Sequence, residues 1–460
     1  MIPSKKGISK ASAGLFATII ALAWPTMLEQ LLQTAVQYID TAMVGSLGTD
    51  ATAAVGSTTT VNWLIGSTVS AMGVGFLAFI SQSIGAGAVE RTKRAVAQAV
   101  LVVLLCGSVF TLLPLSLSGL VPVWMQVEES IRESASTYFF IIYSTMLFRC
   151  SSIIFGTVLR AAGDTKTPMY VGLAVNAVNV ILNFLFIYPT REFFGILIPG
   201  AGMGVIGAAV ATAIAYAVGG IVIFIAVLRH KELSPIGVSF KPDREILLPC
   251  LRVAVPNACQ RFGTSLGYVA FAAMVNSVGE IATAAHTIAN TVESAFYIPG
   301  YGMQTAAATL AGNAFGAKDS EGIDRLGKIM LRIELVLMVV SGGLLFVCAP
   351  SMMRIFSTDE QVISLGATVL RMVALSEPFY GVSIIIEGML HGMGRTVMPF
   401  VTNITGMWCV RIIGTFICTQ IFSLGLVSAW GCMILHNLTL FAVFFAYYLS
   451  GRWNPLKQKK

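Results

Sequence analysis

The chain has 460 residues, of which 56% are apolar and only 11% are charged. Soluble globular proteins carry about 25% charged residues, so this composition excludes a soluble enzyme. The formal net charge is +7, and the 44 glycines are spread through apolar stretches rather than gathered in linkers. We therefore expect a polytopic membrane protein whose solvent is the lipid bilayer.

Twelve apolar segments are long enough to cross the bilayer core, which takes about 20 helical residues. They lie near residues 14–46, 51–82, 95–121, 132–156, 168–189, 203–228, 246–277, 281–313, 329–352, 361–390, 398–422 and 424–450. The first segment is longer than the apolar core of a signal peptide, so we expect it to be retained as a span. The expected fold is an all-α polytopic membrane protein with twelve transmembrane helices.

Basic residues are concentrated on one side of these spans. Of the 29 Lys and Arg residues, 21 lie at the termini, at Arg332, or in the loops near 83–94, 157–167, 229–245, 314–328 and 391–397. Cytoplasmic loops carry the excess of Lys and Arg in membrane proteins, so we expect both termini in the cytoplasm. This topology accounts for the net positive charge without a nucleic-acid partner.

The chain is similar to itself at a constant offset. Pro25 matches Pro256, 231 residues later, and the sequence Ala-Thr-Ala-Ala at residue 51 recurs at residue 282. The register slips only near 191–200, which we interpret as an insertion. Because six spans are an even number, both copies start on the same side of the membrane, and the repeat is parallel.

This duplication predicts an N-terminal six-helix lobe over 1–228, a cytoplasmic linker over 229–245 and a C-terminal six-helix lobe over 246–460. Two such bundles around a central cavity can alternate access to a midplane site, as secondary transporters do. The sequence contains no Walker loop, so an ion gradient must supply the driving force. The eight cysteines show no metal-ligand spacing, and we expect no cofactor, only a coupling ion, H⁺ or Na⁺.

Asp40 is the main candidate for ion coupling. An ionised carboxylate at membrane depth costs about 2.5–3.5 kcal/mol, so it needs a partner, a proton or a function. Helical spacing places Gln37, Gln33 and Glu29 on the same face of the first span, and we expect this polar stripe to line the substrate cavity. The alternative is that Asp40 only satisfies a neighbouring amide or hydroxyl group.

The fifth span carries a second polar face. Asn176, Asn179 and Asn183 follow one another at spacings of three and four residues, which places them on one side of a helix. Asparagine amides can hydrogen-bond a carboxyl group or coordinate a cation without adding charge. We expect this face to meet the Asp40 stripe, with Asn176 facing the substrate cavity.

The second half of the chain is chemically different, because Phe271 stands at the repeat position of Asp40. Arg261 and Glu293 lie near mid-membrane on adjacent spans. They either pair and hold two helices together, or Glu293 belongs to an ion or cationic-substrate site. Glu377 and Glu387 in the tenth span are open to the same two interpretations.

Pro25 and its repeat partner Pro256 are candidate structural or hinge residues. Proline removes one internal hydrogen bond of a helix, so the helix can bend at that level. In the first span this position lies below the polar stripe, so a bend there would move Asp40.

Several segments together resemble the multidrug and toxic compound extrusion (MATE) transporters, most closely the DinF-like branch. They are Ile39-Asp40-Thr41-Ala42-Met43-Val44-Gly45, the loop from Leu159 to Pro168, Asn179 and Asn183 with the Phe184 to Tyr188 run, and the opening Gly204-xx-Gly207-Ala208-Ala209-xx-Thr212. The resemblance implies an exporter of cationic, aromatic compounds driven by protons or sodium. It also implies that Asp40 is the coupling acid and that Asn179, Asn183 and Thr212 belong to its site.

This chain departs from the family pattern at two places. Many relatives have Asp where this chain has Asn183, and the C-terminal acids of NorM-like members are replaced by Thr264 and Tyr380. A single carboxyl group is easier to reconcile with protonation than with a sodium shell of several carboxylates, although neutral oxygens at Asp40, Asn179 and Asn183 could bind Na⁺.

The alternative function is a flippase of lipids or lipid-linked precursors with the same broad fold, which predicts a cavity lined by clustered cations. An enzyme embedded in the membrane is not expected, because the spans hold no DDxxD, HExxH or Ser/His constellation. We expect a monomer in the cell membrane, the inner membrane where there are two. Its partners would be membrane lipids and small organic cations or amphipathic drugs, and its export activity would give drug resistance.

The topology gives the first testable prediction. Glu129 lies in a predicted outer loop and Lys241 in the predicted cytoplasmic linker. Single cysteines introduced at these two positions should therefore react with a membrane-impermeant thiol reagent from opposite sides of the membrane. Labelling of both from the same side would contradict the twelve-span topology.

Overall fold

The computed structural model describes residues 12–124, 127–193 and 196–457. The helices of the first half are α1 (Ser12–Gly45), α2 (Thr49–Gly85), α3 (Val89–Leu117), α4 (Val121–Trp124), α5 (Glu129–Ser144), α6 (Met146–Ala161), α7 (Lys166–Phe186) and α8 (Gly204–Arg229). Those of the second half are α9 (Arg244–Asn276), α10 (Glu280–Gly316), α11 (Ser320–Phe356), α12 (Glu360–Ala374), α13 (Glu377–Gly392), α14 (Val397–Thr405), α15 (Ile413–Phe416) and α16 (Leu426–Leu449). Two π-helical segments, Gly406–Ile412 and Ile417–Ile421, flank α15.

Each predicted span coincides with one helix, with a bent pair of helices, or with the helical run from α14 to Ile421. The pair α5 and α6 is bent by 46°, and the pair α12 and α13 by 52°. Within the described residues, eight helical runs are long and apolar enough to cross a membrane, or ten if each bent pair is one span. α9 and α10 are not among these, and both carry polar side chains described below.

The segment interpreted as an insertion forms a β-hairpin. β1 (Pro189–Phe193) pairs antiparallel with β2 (Ile196–Ala201). The hairpin joins the end of α7 to the start of α8, where Met203 N donates to Phe186 O at 2.8 Å. The guanidinium of Arg191 lies 3.9 Å from the ring centroid of Tyr188. The hairpin therefore fixes the turn between two helices that carry predicted site residues.

Contacts divide the chain into two compact units, each discontinuous in sequence. The N-unit comprises residues 28–80 and 88–251, and the C-unit comprises the chain up to Met27, residues 81–87 and residues 252–460. The bounds of these units differ from those of the predicted lobes. The beginning of α1 and the end of α2 join the C-unit, and both the 229–245 linker and residues 246–251 belong to the N-unit.

Close packing inside the C-unit explains why the beginning of α1 belongs to it. Thr26 Oγ1 donates to Gly302 O of α10 at 3.0 Å. A Cβ atom on Gly302 would lie 2.5 Å from Met27 Cγ, so only glycine permits this approach. Helices in membranes associate through small residues because packing is their main attraction. This short contact holds α1 to α10 just after Pro25.

The linker fastens to the start of α3 in the N-unit. Gln98 Nε2 donates to Lys241 O at 2.9 Å, and Gln98 Oε1 accepts from Asp243 N at 3.0 Å. Arg94 forms an ion pair with the Asp243 carboxylate. The amide of Gln98, which is 1% exposed, therefore satisfies linker backbone groups that lie outside any helix.

The tail after α16 makes the equivalent attachment in the C-unit. Asn454 Nδ2 donates to Ser320 O at 3.1 Å and to Asp324 Oδ1 at 3.0 Å, at the start of α11. Lys457 also pairs with Asp324. α3 and α11 occupy the same place in the duplicated pattern. In both halves, the segment that follows the sixth span holds the start of the third-span helix.

Replacement of Asn454 by alanine should destabilise the C-unit. Asn454 is 0% exposed, so Asn454→Ala removes its buried amide and the hydrogen bonds that it donates to Ser320 O and Asp324 Oδ1 of α11. The expected loss is about 1–3 kcal/mol of unfolding free energy, measured as a lower melting temperature in detergent. Ser450→Ala is the matched control, because the exposed side chain of Ser450 bonds only to the backbone of residues two or three positions away, Tyr447 O and Arg452 N. Equal melting temperatures for the two variants would contradict the attachment.

Candidate functional site

The structure brings together the four residues predicted for one ion site, which we name the acid network: Asp40, Asn179, Asn183 and Thr212. Asn183 Nδ2 donates to Asp40 Oδ1 at 2.7 Å. With its amide oriented to satisfy both ends, Asn179 donates from Nδ2 to Asp40, whose oxygens lie 2.8 and 3.0 Å away. In that orientation Asn179 Oδ1 accepts from Thr212 Oγ1 at 3.1 Å. The four side chains form one continuous hydrogen-bonded group.

Three helices of the N-unit position this network. Asp40 lies near the end of α1, the two asparagines lie one turn apart on α7, and Thr212 lies on α8. The start of α8 packs directly on the end of α7, because a Cβ atom on Gly207 would lie 2.5 Å from Phe186 O. This close approach, together with the hairpin turn, sets Thr212 beside Asn179.

The carboxylate of Asp40 has only neutral partners. Asn179 and Asn183 are 5% and 1% exposed, whereas Asp40 is partly exposed. Among the described residues, no Lys, Arg or His side chain forms an ion pair with Asp40. The buried Tyr138 of α5 is an electrostatic neighbour of Asp40, which sequence reasoning missed. The arrangement can therefore accept a proton or a small cation without first breaking an ion pair.

The polar stripe of α1 divides into two parts. Gln33 and Gln37 are exposed, as expected of residues that line a cavity. Glu29 is instead bound to Arg160, whose Nη1 lies 2.9 Å from Oε2 and 3.1 Å from Oε1. Sequence reasoning missed this partner, although Arg160 belongs to the loop that carries the family resemblance. Glu29 therefore has a structural partner, and its place in a substrate cavity stays a prediction.

The remaining predicted residues of α1, α7 and α9 lie outside the acid network. Asn176 is partly buried one turn before Asn179 and adds no hydrogen bond to the network in the described structure. Pro25 is buried within α1, which continues from Ser12 to Gly45, and Pro256 is partly buried within α9. Both helices run through their prolines, so hinge motion at these positions stays a prediction.

The C-unit has no acid at the repeat position of Asp40. Phe271 is 1% exposed, and the guanidinium of Arg411 lies 4.2 Å from its ring centroid. His286 meets the same ring edge to face, with centroids 5.5 Å apart. The position that holds a carboxylate in one half is therefore filled by packed aromatic and basic groups in the other.

The proposed pairing of Arg261 with Glu293 is wrong. Within the described part of the chain, the two side chains form no ion pair. Arg261 Nε donates to Asn257 Oδ1 at 3.0 Å, one turn earlier on α9. Glu293 is 6% exposed, and its neighbouring charge is Arg411. Arg261 therefore has its partner on its own helix, and a role of Glu293 in binding stays open as a prediction.

Two further carboxyl groups lie inside the C-unit. Glu334 of α11 is 0% exposed and Glu377 of α13 is 1% exposed. None of their four carboxyl oxygens has a hydrogen-bond partner in the described structure. Sequence reasoning had not singled out Glu334, although an intramembrane carboxyl group is itself a functional signal.

The family model of MatE matches residues 25–185 and again residues 256–417. The chain belongs to the MatE family. The two matches begin at Pro25 and Pro256, the same two prolines that define the internal repeat. The duplication inferred from the sequence is therefore confirmed.

Similar proteins agree on the family and the fold. A probable multidrug resistance protein NorM of Thermotoga maritima is 30% identical over 439 residues, which are 95% of this chain and 92% of that protein. Multidrug and toxin extrusion protein 1 of Homo sapiens is 23% identical over 447 residues, which are 96% of this chain and 76% of that protein. The solved structure of an outward-facing multidrug resistance MATE family transporter matches this chain with a TM-score of 0.90 and 22% sequence identity. The match covers 99% of this chain and 100% of that chain. The predicted twelve-helix membrane fold is confirmed, and the chain is a multi-pass membrane transporter.

The ion pair of Glu29 and Arg160 should be revealed by a double-mutant cycle. Removal of one member strands the other charge, so Glu29→Gln and Arg160→Gln should each lower the melting temperature of the solubilised protein. The double variant should recover part of the loss, with a coupling energy of about 0.5–3 kcal/mol. Additive losses in the double variant would contradict the pairing.

Proposed function

We propose that this transporter is a secondary antiporter that exports cationic or amphipathic organic compounds in exchange for protons, by alternating access. The observation that carries the proposal is the acid network of the N-unit. Its carboxylate is partly exposed, is held by amide donors and faces no basic side chain within ion-pair distance in the described structure. Such a group can exchange a proton for an organic cation, because both compete for the same negative charge.

The Asn183 amide can serve both charge states of Asp40. The ionised carboxylate accepts the N–H groups of Asn179 and Asn183. The protonated acid instead needs an acceptor for its O–H, and Asn183 Oδ1 is buried without a hydrogen-bond partner in the described structure. Rotation of this amide by half a turn would present that oxygen to Asp40. Proton uptake would then exchange one hydrogen bond for another.

The same geometry favours H⁺ over Na⁺ as the coupling ion. Hard cations take several oxygen ligands, whereas the two amides turn N–H groups toward the carboxylate. No group of three or more His, Cys, Asp or Glu side chains suited to a metal ion occurs in the parts of the chain that the structure describes. Sodium binding at Asp40, Asn179 and Asn183 would require both amides to rotate, while a proton requires at most one rotation.

The substrate class follows from charge and from the relatives. Proteins named for multidrug resistance and extrusion are similar to this chain over most of its length. On α1, Gln33 and Gln37 add exposed neutral polar groups to the helix that carries Asp40. A carboxylate without a basic neighbour creates a negative local potential that attracts organic cations. The distribution of basic loops supports a cytoplasmic location of both termini, and export would run outward across the cell membrane.

Asp40→Asn should abolish gradient-driven export while leaving the protein folded. Asparagine cannot ionise, so the variant is held in a state that resembles the protonated one. In proteoliposomes with an imposed pH gradient, we expect transport of an ethidium-type cation to fall to the background rate. Parallel vesicles with an imposed Na⁺ gradient distinguish the two coupling ions.

Asp164→Asn is the matched control for this substitution. Asp164 Oδ1 accepts from Thr167 N at the start of α7, and asparagine caps a helix start equally well. The control variant should transport at the normal rate. Normal rates in Asp40→Asn would remove this residue from the mechanism, and transport that responds to Na⁺ but not to pH would reassign the site to sodium.

A further inference from the structure

Three tyrosines of the C-unit form a compact cluster that the proposed ion coupling does not use. Tyr297 meets Tyr301 edge to face, with ring centroids 5.8 Å apart, and meets Tyr380 in the same way at 6.2 Å. The hydroxyl oxygens of Tyr301 and Tyr380 lie 3.0 Å apart. One hydroxyl hydrogen is used in that bond, so the other hydroxyl retains a hydrogen to donate. Edge-to-face packing leaves an aromatic surface suited to another ring.

Arg261 lies beside this cluster with unused donors. Its Nε donates to Asn257 Oδ1, but no hydrogen bond of Nη1 or Nη2 occurs in the described structure. Tyr301 is an electrostatic neighbour of Arg261. The guanidinium therefore offers two N–H groups in a planar fork, near a tyrosine hydroxyl that has a hydrogen available.

These side chains are partly exposed, in the middle of α9 and α10 and in the first turn of α13. Tyr297, Tyr301, Tyr380 and Arg261 are all partly exposed, whereas the flanking residues of α10 include the buried Gly300. On α10, Tyr297 and Tyr301 are four residues apart, so they share one face of that helix. A guanidinium with free donors at such a place is ready to bind a ligand from solution.

We propose that Tyr297, Tyr301, Tyr380 and Arg261 form a binding site for an aromatic carboxylate. The ring of the ligand packs on the tyrosines, and its carboxylate accepts two N–H groups of Arg261 and one tyrosine O–H. The proposal deepens the proposed function, on which it rests for taking the ligand to be a transport substrate. It adds organic anions and zwitterions to the cationic compounds expected at Asp40.

The surrounding charges select a monoanion. Glu387 of α13 is the acidic neighbour of Arg261 and accepts from Gln260 Nε2 at 2.7 Å. Its Oε1 also lies 3.6 Å from His391 Nε2. A single guanidinium beside an acid can hold a carboxylate in the bidentate manner, whereas a phosphate dianion or a pyrophosphate requires more positive charge. This argument favours a small aromatic acid over a lipid phosphate.

Direct binding to the purified full chain tests the site without any ion gradient. The probes are 2-naphthoate, neutral 2-naphthalenemethanol and cationic 2-naphthylmethylammonium, titrated calorimetrically in a zwitterionic detergent. We expect naphthoate to bind the most tightly of the three. Arg261→Gln should weaken naphthoate binding by at least about tenfold and leave the neutral probe unchanged. Glu387→Gln should strengthen naphthoate binding, because it removes a nearby negative charge.

Controls separate the site from general effects on folding. Arg149→Gln is the matched variant, since Arg149 of the N-unit is also partly buried but donates to Asn62 and lies over Tyr216. It should bind naphthoate normally, as should Asp40→Asn, so a failure of the coupling mechanism is distinguishable from a failure of this site. Arg261→Lys keeps the charge without the planar fork and should give intermediate affinity, which remains measurable if Arg261→Gln does not fold.

Three results would overturn the proposal. The first is an unchanged naphthoate affinity in Arg261→Gln or Arg261→Lys. The second is that the ammonium probe binds more tightly than naphthoate and that Glu387→Gln weakens its binding. The site would then prefer cations. The third is loss of naphthoate binding when the protein is moved from phosphatidylcholine to phosphatidylglycerol nanodiscs, which would assign Arg261 to a lipid headgroup.

Discussion

The bilayer tolerates very few uncompensated charges, and this constraint accounts for most of the polar contacts inside the helices. A charged side chain at mid-membrane costs about 2.5–3.5 kcal/mol even on the lenient insertion scale. Basic side chains within the spans accordingly meet an acid, an amide or an aromatic ring, as in the pairs Arg160 with Glu29, Arg149 with Asn62, Arg261 with Asn257 and Arg411 with Phe271. Asp40 differs because it is an acid whose hydrogen-bond partners in the described structure are only neutral amides. No basic side chain of the described residues forms an ion pair with it, which is why we propose ion coupling at this residue.

Local spacing made most of the acid network predictable. The two asparagines of α7 are one turn apart, so their common face follows from helix geometry alone. Thr212 came only from the resemblance to a family, because nothing in the periodicity of α8 distinguishes it. The partner of Glu29 could not be predicted from the sequence, because Arg160 lies 131 residues later and their contact depends on how two helices pack. Sequence patterns specify which residues share a face, but not which distant face they meet.

The same distinction explains the errors in the second half of the chain. The pairing of Arg261 with Glu293 assumed that adjacent spans turn these side chains toward each other. Arg261 instead bonds to Asn257 on its own helix, a partner at a spacing of four that could have been recognised in the sequence.

The bounds of the two units were likewise only partly predictable from the sequence. The repeat located the two halves, whereas the transfer of the beginning of α1 to the C-unit depends on the contact of Gly302 with Met27, which no repeat pattern encodes.

The two halves of the duplicated chain share a helix attachment but differ in the charged side chains at their proposed sites. Both halves fasten the start of their third-span helix with the segment that follows the sixth span, through Gln98 in one half and Asn454 in the other. In contrast, among the described residues the N-unit holds at Asp40 an acid that forms no ion pair, and the C-unit holds at Arg261 a guanidinium whose Nη1 and Nη2 make no hydrogen bond, beside three tyrosines. A protein that changes conformation in a low-dielectric membrane does so at lower cost when its buried charges are neutralised. The proton proposed for the acid of the N-unit and the organic anion proposed for the guanidinium of the C-unit would each satisfy that condition within its own unit. The two proposed sites would thus favour ligands of opposite charge, because a carboxylate stands at one of them and a guanidinium at the other.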